Sequence, residues 1–334
     1  MKALAFIDGV GVRTATGVDA LTATTTVRAR KSFVRETRFV DRAGEPIALA
    51  LVASIPDELI GRERFVPLAA PALAEAAGPN RGAPLPLLLA VPAEADPIDP
   101  RGVRLLASLA ERSGVALDLA RSKLVAQGRA GGVAAIEQAI TRLAEHETIL
   151  VGGVDSWFDP ERLEALDDAR RLHGPATENG FIPGEGAAFV RLSRRGDERW
   201  AAVTGIATEH EPRPFGSSEP CHALGISLAA TRALAPLAGA RIGWALTDVV
   251  GERHRTEEWL YASGRVQSSF TEDAQHETPL LLTGDLGAAS ATFLAAHACV
   301  SWRIAANTTN RALVAAHSDG AERGALLLET EARS

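Results

Sequence analysis

Segments with the hydrophobic pattern of a strand alternate with segments of helical periodicity along the chain. Continuous apolar runs of strand length occur, for example, at residues 85–91 and 148–151. Between them, Val133, Ile136 and Ile140 recur at the spacing of one helix face. Strands that alternate with helices build sheets covered by helices on both faces. The sequence therefore predicts an α/β fold.

The alternation runs through the chain twice. In the second part we predict strands at 200–206, 241–248 and 280–283, helices at 219–237 and 287–301, and a closing hairpin at 312–329. Each half ends in an antiparallel strand, which favours an internal duplication, and no glycine- or serine-rich linker separates the two. We therefore predict two similar halves, residues 1–193 and 194–334, that share one compact unit.

Composition argues against several classes of function. The 334 residues carry a net charge of −7, whereas proteins that bind nucleic acid normally need a basic surface to neutralise phosphates. No apolar run reaches the roughly 18 residues that a membrane span requires. The first apolar stretch is broken at Asp8 and Gly9, so we expect no signal peptide. Because Cys221 and Cys299 are too few for a disulfide framework, we expect a cytoplasmic protein. The charge and the short apolar runs lead us to expect neither nucleic acid nor membrane as a partner.

Five segments carry motifs of a known family, in the same order along the chain. They are IDGVGVRTATG (7–17), VAQGRAGGVAAIEQAITRLAEHETILVGGVDSWFDP (125–160), NGFIPGEGAAFVRL (179–192), TGDLGAAS (283–290) and RALVAAHSDGAERGALLLE (311–329). These segments resemble the β-ketoacyl synthases, and the GF-x-x-GEGAA strand is the most specific match. The resemblance implies a thiolase-like fold of five layers, αβαβα, with two pseudo-symmetric halves. It also implies that residues 125–160 contain the nucleophile elbow and the strand that follows it.

The residues at the catalytic positions depart from the family. In a β-ketoacyl synthase, a cysteine precedes a buried helix, where the helix dipole and free amides stabilise its thiolate. The resemblance places Arg129 at this position, and a protonated arginine cannot attack a thioester. It places Asp285 where the family has a histidine that supports the oxyanion. The other histidine is missing after Asp248, since His254 lies too far along, and HSDG (317–320) replaces the phenylalanine-rich loop.

This pattern resembles the chain length factors of aromatic polyketide synthases, which keep the fold and lose the cysteine. Their elbow reads GQAGG where this chain reads GRAGG, and the segment VGGVDSWFDP (151–160) is also similar. The resemblance implies a catalytically degenerate β-ketoacyl synthase-like protein, a non-condensing partner or scaffold subunit. Two alternatives stay open. One is an active 3-oxoacyl-carrier synthase or acyltransferase that uses Ser156 or Cys221; the other is a module that binds an acyl or carrier ligand, for example as a secretion accessory.

The candidate site residues follow from the same resemblance. Arginine at a helix N-terminus is unfavourable unless an anion or an acid pairs with it. Arg129 therefore indicates either an anion or carrier-phosphate site, or a salt bridge to Asp285 or Glu185 that fills the former pocket. Glu185 is expected to fix backbone near the elbow. Gly131 and Gly132 are expected to allow close packing of the elbow helix.

The remaining thiols have simpler interpretations. Cys221 and His222 are adjacent, and adjacent helical residues point in different directions, so the pair itself forms no dyad. Cys299 lies in an apolar helical segment and is expected in the core.

Neither a metal nor a cofactor is expected. His254, Glu257 and Glu258 have a spacing loosely like that of a metal site, but this spacing is common on solvated helices. The glycines at residues 9 and 11 are too sparse for a dinucleotide-binding loop.

We expect the protein to form a dimer through the edge strand and loop at residues 113–127. Paired edge strands are typical of the family that the chain resembles, and an uncovered edge promotes association. A homodimer is expected first, and a heterodimer with an active synthase is the alternative. The resemblance also makes an acyl carrier protein a candidate partner.

Overall fold

Two sets of five strands, one from each half of the chain, form the framework of the protein. The structure is a computed structural model that describes residues 2–79, 83–94, 96, 98–175, 177–196 and 199–331. The strands of the first half and its small hairpin are β1 (Ala5–Thr14), β2 (Val34–Val40), β3 (Pro46–Ala50), β4 (Leu87–Val91), β5 (Lys123–Ala126), β6 (Thr148–Ser156) and β7 (Glu185–Ser193). Those of the second half are β8 (Ala201–His210), β9 (Ile242–Thr247), β10 (Phe270–Glu277), β11 (Arg311–His317) and β12 (Glu322–Glu329).

Helices connect these strands in both halves. The first half contains α1 (Ala20–Arg28), α2 (Phe65–Ala77), α3 (Val103–Ser113), α4 (Gly131–Arg142) and α5 (Pro160–Asp168). The second contains α6 (Leu224–Leu234), α7 (Arg253–Arg265), α8 (Leu280–Thr283) and α9 (Ser290–Arg303). Among the described residues, no helix is both long enough and apolar enough to cross a membrane.

The two halves have the same strand topology. The strand order is β5-β4-β6-β7-β1 in the first half and β10-β9-β11-β12-β8 in the second. Numbered along the chain within each half, both orders read 3-2-4-5-1. In both halves the fifth strand, β7 or β12, is antiparallel to its two neighbours, and the other pairs are parallel. This repeated topology confirms the predicted pseudo-symmetric halves; the boundary at residues 193 and 194 stays a prediction.

The helices complete five layers. Helices α4 and α9 each contact strands of both halves, so they form the central layer. Helix α2 packs on β1, β6 and β7, with α3 beside it, while α6 packs on β8, β11 and β12, with α7 beside it. Between β1 and β8 the two sets of strands also pair directly, with Ala5–Ile7 opposite residues 201–203. The layers therefore run αβαβα, as predicted.

Two local predictions were wrong or incomplete. Residues 280–283 were predicted as a strand but form helix α8, because a four-residue apolar run has no periodicity that separates the two structures. Helix α2 was not predicted, because prolines at 67 and 71 interrupt its sequence. Pro67 lies in its first turn, where proline is tolerated, and tertiary packing accommodates Pro71 inside the helix.

Candidate functional site

The candidate elbow lies between β5 and the N-terminus of α4. A short turn, Gly128–Ala130, joins them, and Gly128 has a φ of +62°, which suits glycine. Arg129 lies in this turn and is only 3% exposed. The chain therefore buries a guanidinium group at the start of a buried helix.

The glycines that follow lie where the central helices meet the rest of the fold. An added Cβ at Gly132 would lie 2.9 Å from the Ala291 Cβ and 3.1 Å from the Thr292 Cγ2, both on α9. An added Cβ at Gly131 would lie 3.2 Å from the Ala90 Cβ. These distances are shorter than ordinary contacts, so side chains at either position would push neighbouring elements apart.

Three arginines and three acids form a closed ring of ion pairs around the elbow. In order around the ring they are Arg129, Asp285, Arg255, Glu252, Arg171 and Asp319, and each acid bridges two arginines. The charges alternate and sum to zero. We call this set the ion ring.

Direct hydrogen bonds connect the ion ring at Arg129. Its Nε and Nη2 donate to the Asp285 carboxylate at 2.9 and 2.7 Å, and its Nη1 donates to Asp319 Oδ1 at 2.9 Å. Arg255 Nη2 also donates to Asp285, at 2.9 Å, and bonds the same Oδ2 oxygen that accepts from Arg129. The predicted pair of Arg129 with Asp285 is therefore present in the structure.

Arg171 closes the ring between Glu252 and Asp319. Its Nε donates to Glu252 at 2.6 Å, and its Nη1 and Nη2 donate to the two oxygens of Asp319 at 2.9 and 3.0 Å. Charge-assisted, bidentate contacts of this kind are the strongest hydrogen bonds that arginine makes.

The ion ring surrounds an aromatic side chain. The guanidinium carbons of Arg129, Arg171 and Arg255 lie 5.9, 5.5 and 5.4 Å from the centre of the Phe181 ring. Trp157 packs edge-on against Phe181 at 5.7 Å between ring centres. The cations are thus stabilised both by carboxylates and by aromatic faces.

Electrostatics favours the charged forms of Asp285, Asp319 and Arg129. Burial alone would raise the pKa of Asp285, but Arg129 and Arg255 hold that pKa well below its usual range. Burial is likewise outweighed at Asp319, whose pKa is lowered by Arg129 and Arg171. The acids in turn raise the pKa of Arg129 against the effect of its own burial.

The turn between β11 and β12 accepts a hydrogen bond from the backbone amide of the residue that precedes α4. The backbone N–H of Ala130 donates to Ser318 Oγ at 3.0 Å, and the Ser318 hydroxyl donates to the Gln127 carbonyl. Asp319, the next residue, belongs to the ion ring. The turn therefore binds both the Arg129 guanidinium and one backbone amide of the elbow.

Comparison with known proteins places this geometry in a fold family. No family model matches the sequence, and no curated protein has a significantly similar sequence. Solved structures do match along nearly the whole chain. They include the ketosynthase domain KS7 of oxazolomycin from Streptomyces albus JA3453, at 14% identity and a TM-score of 0.76, covering 99% of this chain and 76% of that one. The chain has the ketosynthase fold.

Two further matches are assemblies of several proteins. The ishigamide ketosynthase/chain length factor is 18% identical with a TM-score of 0.71, covering 97% of this chain and 99% of that one. A type II PKS acyl-carrier protein complex with its ketosynthase gives 13% identity and a TM-score of 0.79, covering 98% and 99%. The thiolase-like fold that the motifs implied is therefore confirmed.

Within this ketosynthase fold, Glu185 has a partner other than Arg129. Its carboxylate accepts from Arg64 Nε at 2.5 Å, from the Val52 N–H at 2.9 Å and from the Ser156 hydroxyl at 2.8 Å. The suggested salt bridge between Arg129 and Glu185 is therefore absent among the described contacts of Arg129. Glu185 instead holds the backbone at Val52, in the segment that follows β3.

The other predicted side chains lie outside the ion ring or at its edge. Cys221 is half-buried near Glu211 and Glu258, and burial together with these acids raises the pKa of its thiol. Cys299 is buried in α9, as expected, and burial raises its pKa to about 12. His222 is exposed.

The three residues of α7 with a metal-like spacing, His254, Glu257 and Glu258, contact different partners. His254 packs against Phe215 with ring centres 4.4 Å apart, and burial lowers its pKa to about 4. Glu257 pairs with Arg253 on the helix surface, whereas Glu258 is buried against Arg323. These three side chains do not converge on one point.

Sequence reasoning missed four members of the ion ring and one buried pair. Glu252 and Arg255 are three residues apart at the start of α7, whereas Arg171 and Asp319 lie in two other loops, so no local spacing relates the three segments. Two signals were available, since Glu252 and Asp319 follow predicted strands in segments that depart from the family motifs. The buried pair is His317 with Asp248, joined at 2.6 Å through Nδ1.

Proposed function

We propose that this chain is a catalytically degenerate ketosynthase-like protein that serves as a non-condensing partner or scaffold subunit. The observation that supports the proposal is the ion ring at the elbow, with Arg129 as its central cation. A permanently protonated guanidinium has no lone pair with which to attack a thioester. Asp285 adds a carboxylate whose lowered pKa keeps it from donating a proton to an oxyanion.

The remaining candidate nucleophiles are poorly placed for acyl transfer. The Ser156 hydroxyl is fully buried and donates to Glu185, which already accepts two bonds from Arg64. The raised pKa of Cys221 lowers the fraction of reactive thiolate at neutral pH. Both observations favour the non-condensing function over an acyltransferase with a substitute nucleophile.

The partner of such a subunit is proposed from the sheet edge and from the matched structures. One matched structure is a ketosynthase with its chain length factor, and another holds an acyl-carrier protein. Strand β5 is one of the two edges of the sheet. We therefore propose that residues 113–127 pair with a second subunit, either a copy of this chain or an active synthase, and that an acyl carrier protein is a further partner.

Acylation is the direct test of this function. The wild-type protein is incubated with acetyl- and malonyl-pantetheine, and intact mass and released carbon dioxide are measured. We expect neither an acyl adduct nor decarboxylation. An adduct that disappears in Ser156→Ala or Cys221→Ala would instead establish an acyltransferase. Exposed Ser217→Ala is the control for non-specific acylation.

A further inference from the structure

We propose that the ion ring is a binding site for a small carboxylate, and that the chain's own Asp319 occupies the ligand position. This inference goes beyond the proposed function, because it concerns ligand recognition and needs no acyl transfer. It depends on how Asp319 differs from the other two acids of the ring.

Asp319 alone among the three acids of the ring contacts solvent. Its side chain is 34% exposed, whereas those of Asp285 and Glu252 are 0% and 3% exposed. Asp285 is also fixed by the Gly287 N–H, which donates to it at 2.8 Å. A ligand that arrives from solvent therefore meets the ring at the position of the Asp319 carboxylate.

The site presented to that carboxylate has the geometry of a carboxylate receptor. Arg129 Nη1 and Arg171 Nη2 both donate to Asp319 Oδ1, and Arg171 Nη1 donates to Oδ2, all at 2.9 to 3.0 Å. Three converging N–H groups satisfy a planar group with two oxygens. Both guanidinium groups are nearly buried and are held in place by Glu252 and Asp285, so the site is preorganised.

The wall beside this position is apolar. Phe215 lies over the Arg171 guanidinium at 4.4 Å and is 43% exposed, so an accessible apolar surface lies against one of the two receptor arginines. A carboxylate that carries a short alkyl chain would bury that chain against Phe215. The ligand class we assign is therefore a short aliphatic monocarboxylate.

Exchange requires the rotation of one side chain. Arg323 Nη1 donates to the backbone carbonyls of Ser318, Gly320 and Glu322, which fixes the turn. The Asp319 side chain, already open to solvent, can turn outward while this backbone stays in place. Internal competition makes the wild-type affinity lower than that of a variant without the carboxylate.

The test measures thermal unfolding of wild type and Asp319→Ala in acetate, butyrate, phosphate and sodium chloride at equal ionic strength. We expect Asp319→Ala to melt below wild type and to be restored, saturably, by butyrate and more weakly by acetate. Calorimetry of wild type with butyrate is expected to show binding at least roughly tenfold weaker than in the variant. Asp118→Ala, which removes a partly buried acid paired with Arg121 outside the ion ring, is the matched control and should not respond.

Several results would overturn the proposal. The first is an equal response of Asp319→Ala to chloride and to the carboxylates, and the second is undetectable butyrate binding to wild type. Restoration by phosphate alone would overturn the assigned ligand class. If Asp319→Ala does not fold, Asp319→Ser keeps a polar side chain, leaves the carboxylate position empty and provides the same comparison. Adding Arg171→Gln to either variant should abolish the carboxylate effect.

Discussion

Arg129 and Asp285, 156 positions apart, form a bidentate ion pair between the starts of two central helices. A cation at the start of α4 opposes the helix dipole, whereas the carboxylate of Asp285 favours the N-terminus of α9. The pair therefore places a favourable charge on one helix next to an unfavourable charge on the other. Arg129 is tolerated at the elbow because Asp285 and Asp319 accept from it there.

Arg129→Cys should not create a condensing enzyme. The new thiol would lie beside Asp285, whose charge opposes an oxyanion, and the loss of one oxyanion donor already costs about 10²–10³ in rate. Removing one partner of a buried pair should also lower the free energy of unfolding by about 3–5 kcal/mol. Malonyl-thioester decarboxylation and chemical denaturation provide the two measurements.

Two comparisons isolate the role of Arg129. Arg129→Gln imitates the chain length factor elbow and should lose similar stability, because the same carboxylates lose their partner. Thr141→Cys, at an exposed position on the same helix, should change stability little. Decarboxylation by the wild type would contradict the degenerate site, and a gain in stability in either Arg129 variant would contradict the ring's contribution.

The sequence predicts the framework better than the site. Strand-length apolar runs around β4 and β6, together with the closing hairpin, are local signals of the strands, whereas the full topology was implied by the family resemblance, because β10 gave no such signal and 280–283 form a helix. The pair of Arg129 with Asp285 was predicted because the family motifs align both residues with one catalytic centre. Arg171 and Glu252 come from a loop after α5 and the N-cap of α7, and only the folded chain brings them within hydrogen-bonding distance.

Gly132→Ala should destabilise the protein by about 1–3 kcal/mol through overpacking. The added methyl would lie 2.9 Å from the Ala291 Cβ, and the facing atoms belong to the central helix α9, which strands of both halves enclose. The matched control is Gly264→Ala in α7, where an added Cβ meets nothing within 4 Å. Since alanine favours the helix, Gly264→Ala should be neutral or slightly stabilising. Equal midpoints for both variants in urea would contradict the close packing.

His297 should make stability fall as the pH is lowered from about 6.5 to 4. Burial lowers its pKa to about 3, whereas an unfolded histidine titrates near 6.5. Between these values the unfolded state binds more protons, so the free energy of unfolding rises with pH and is lower by about 3 kcal/mol at pH 4 than at neutral pH. His254 contributes with the same sign over the same window.

The contribution of His297 is measured by comparing pH slopes. His297→Phe fits between Trp244 and Phe293 and should flatten the slope between pH 4 and 6.5. His222→Phe, at an exposed position, should leave that slope as in wild type. The acids of the ion ring overlap this window only at its acidic end, because the stability that they contribute begins to fall near their unfolded pKa of about 4 and continues to fall below it. An unchanged slope in His297→Phe would contradict the assignment.

Replacing the apolar surface beside β5 should convert a dimer into monomers. The opposite sheet edge, β10, carries the acids Glu272 and Asp273, which discourage pairing, whereas β5 is flanked by Val103 and Leu119, 63% and 45% exposed. The double variant Val103→Glu and Leu119→Glu would place one charge within the proposed interface and one beside it, so dissociation should increase roughly 100-fold or more. Light scattering coupled to size exclusion measures the mass, and Val18→Glu, at another exposed apolar position, is the control that should stay dimeric. A monomeric wild type would contradict the homodimer, and this edge would then be expected to pair with a different synthase subunit. A double variant that stays dimeric would contradict the proposed interface.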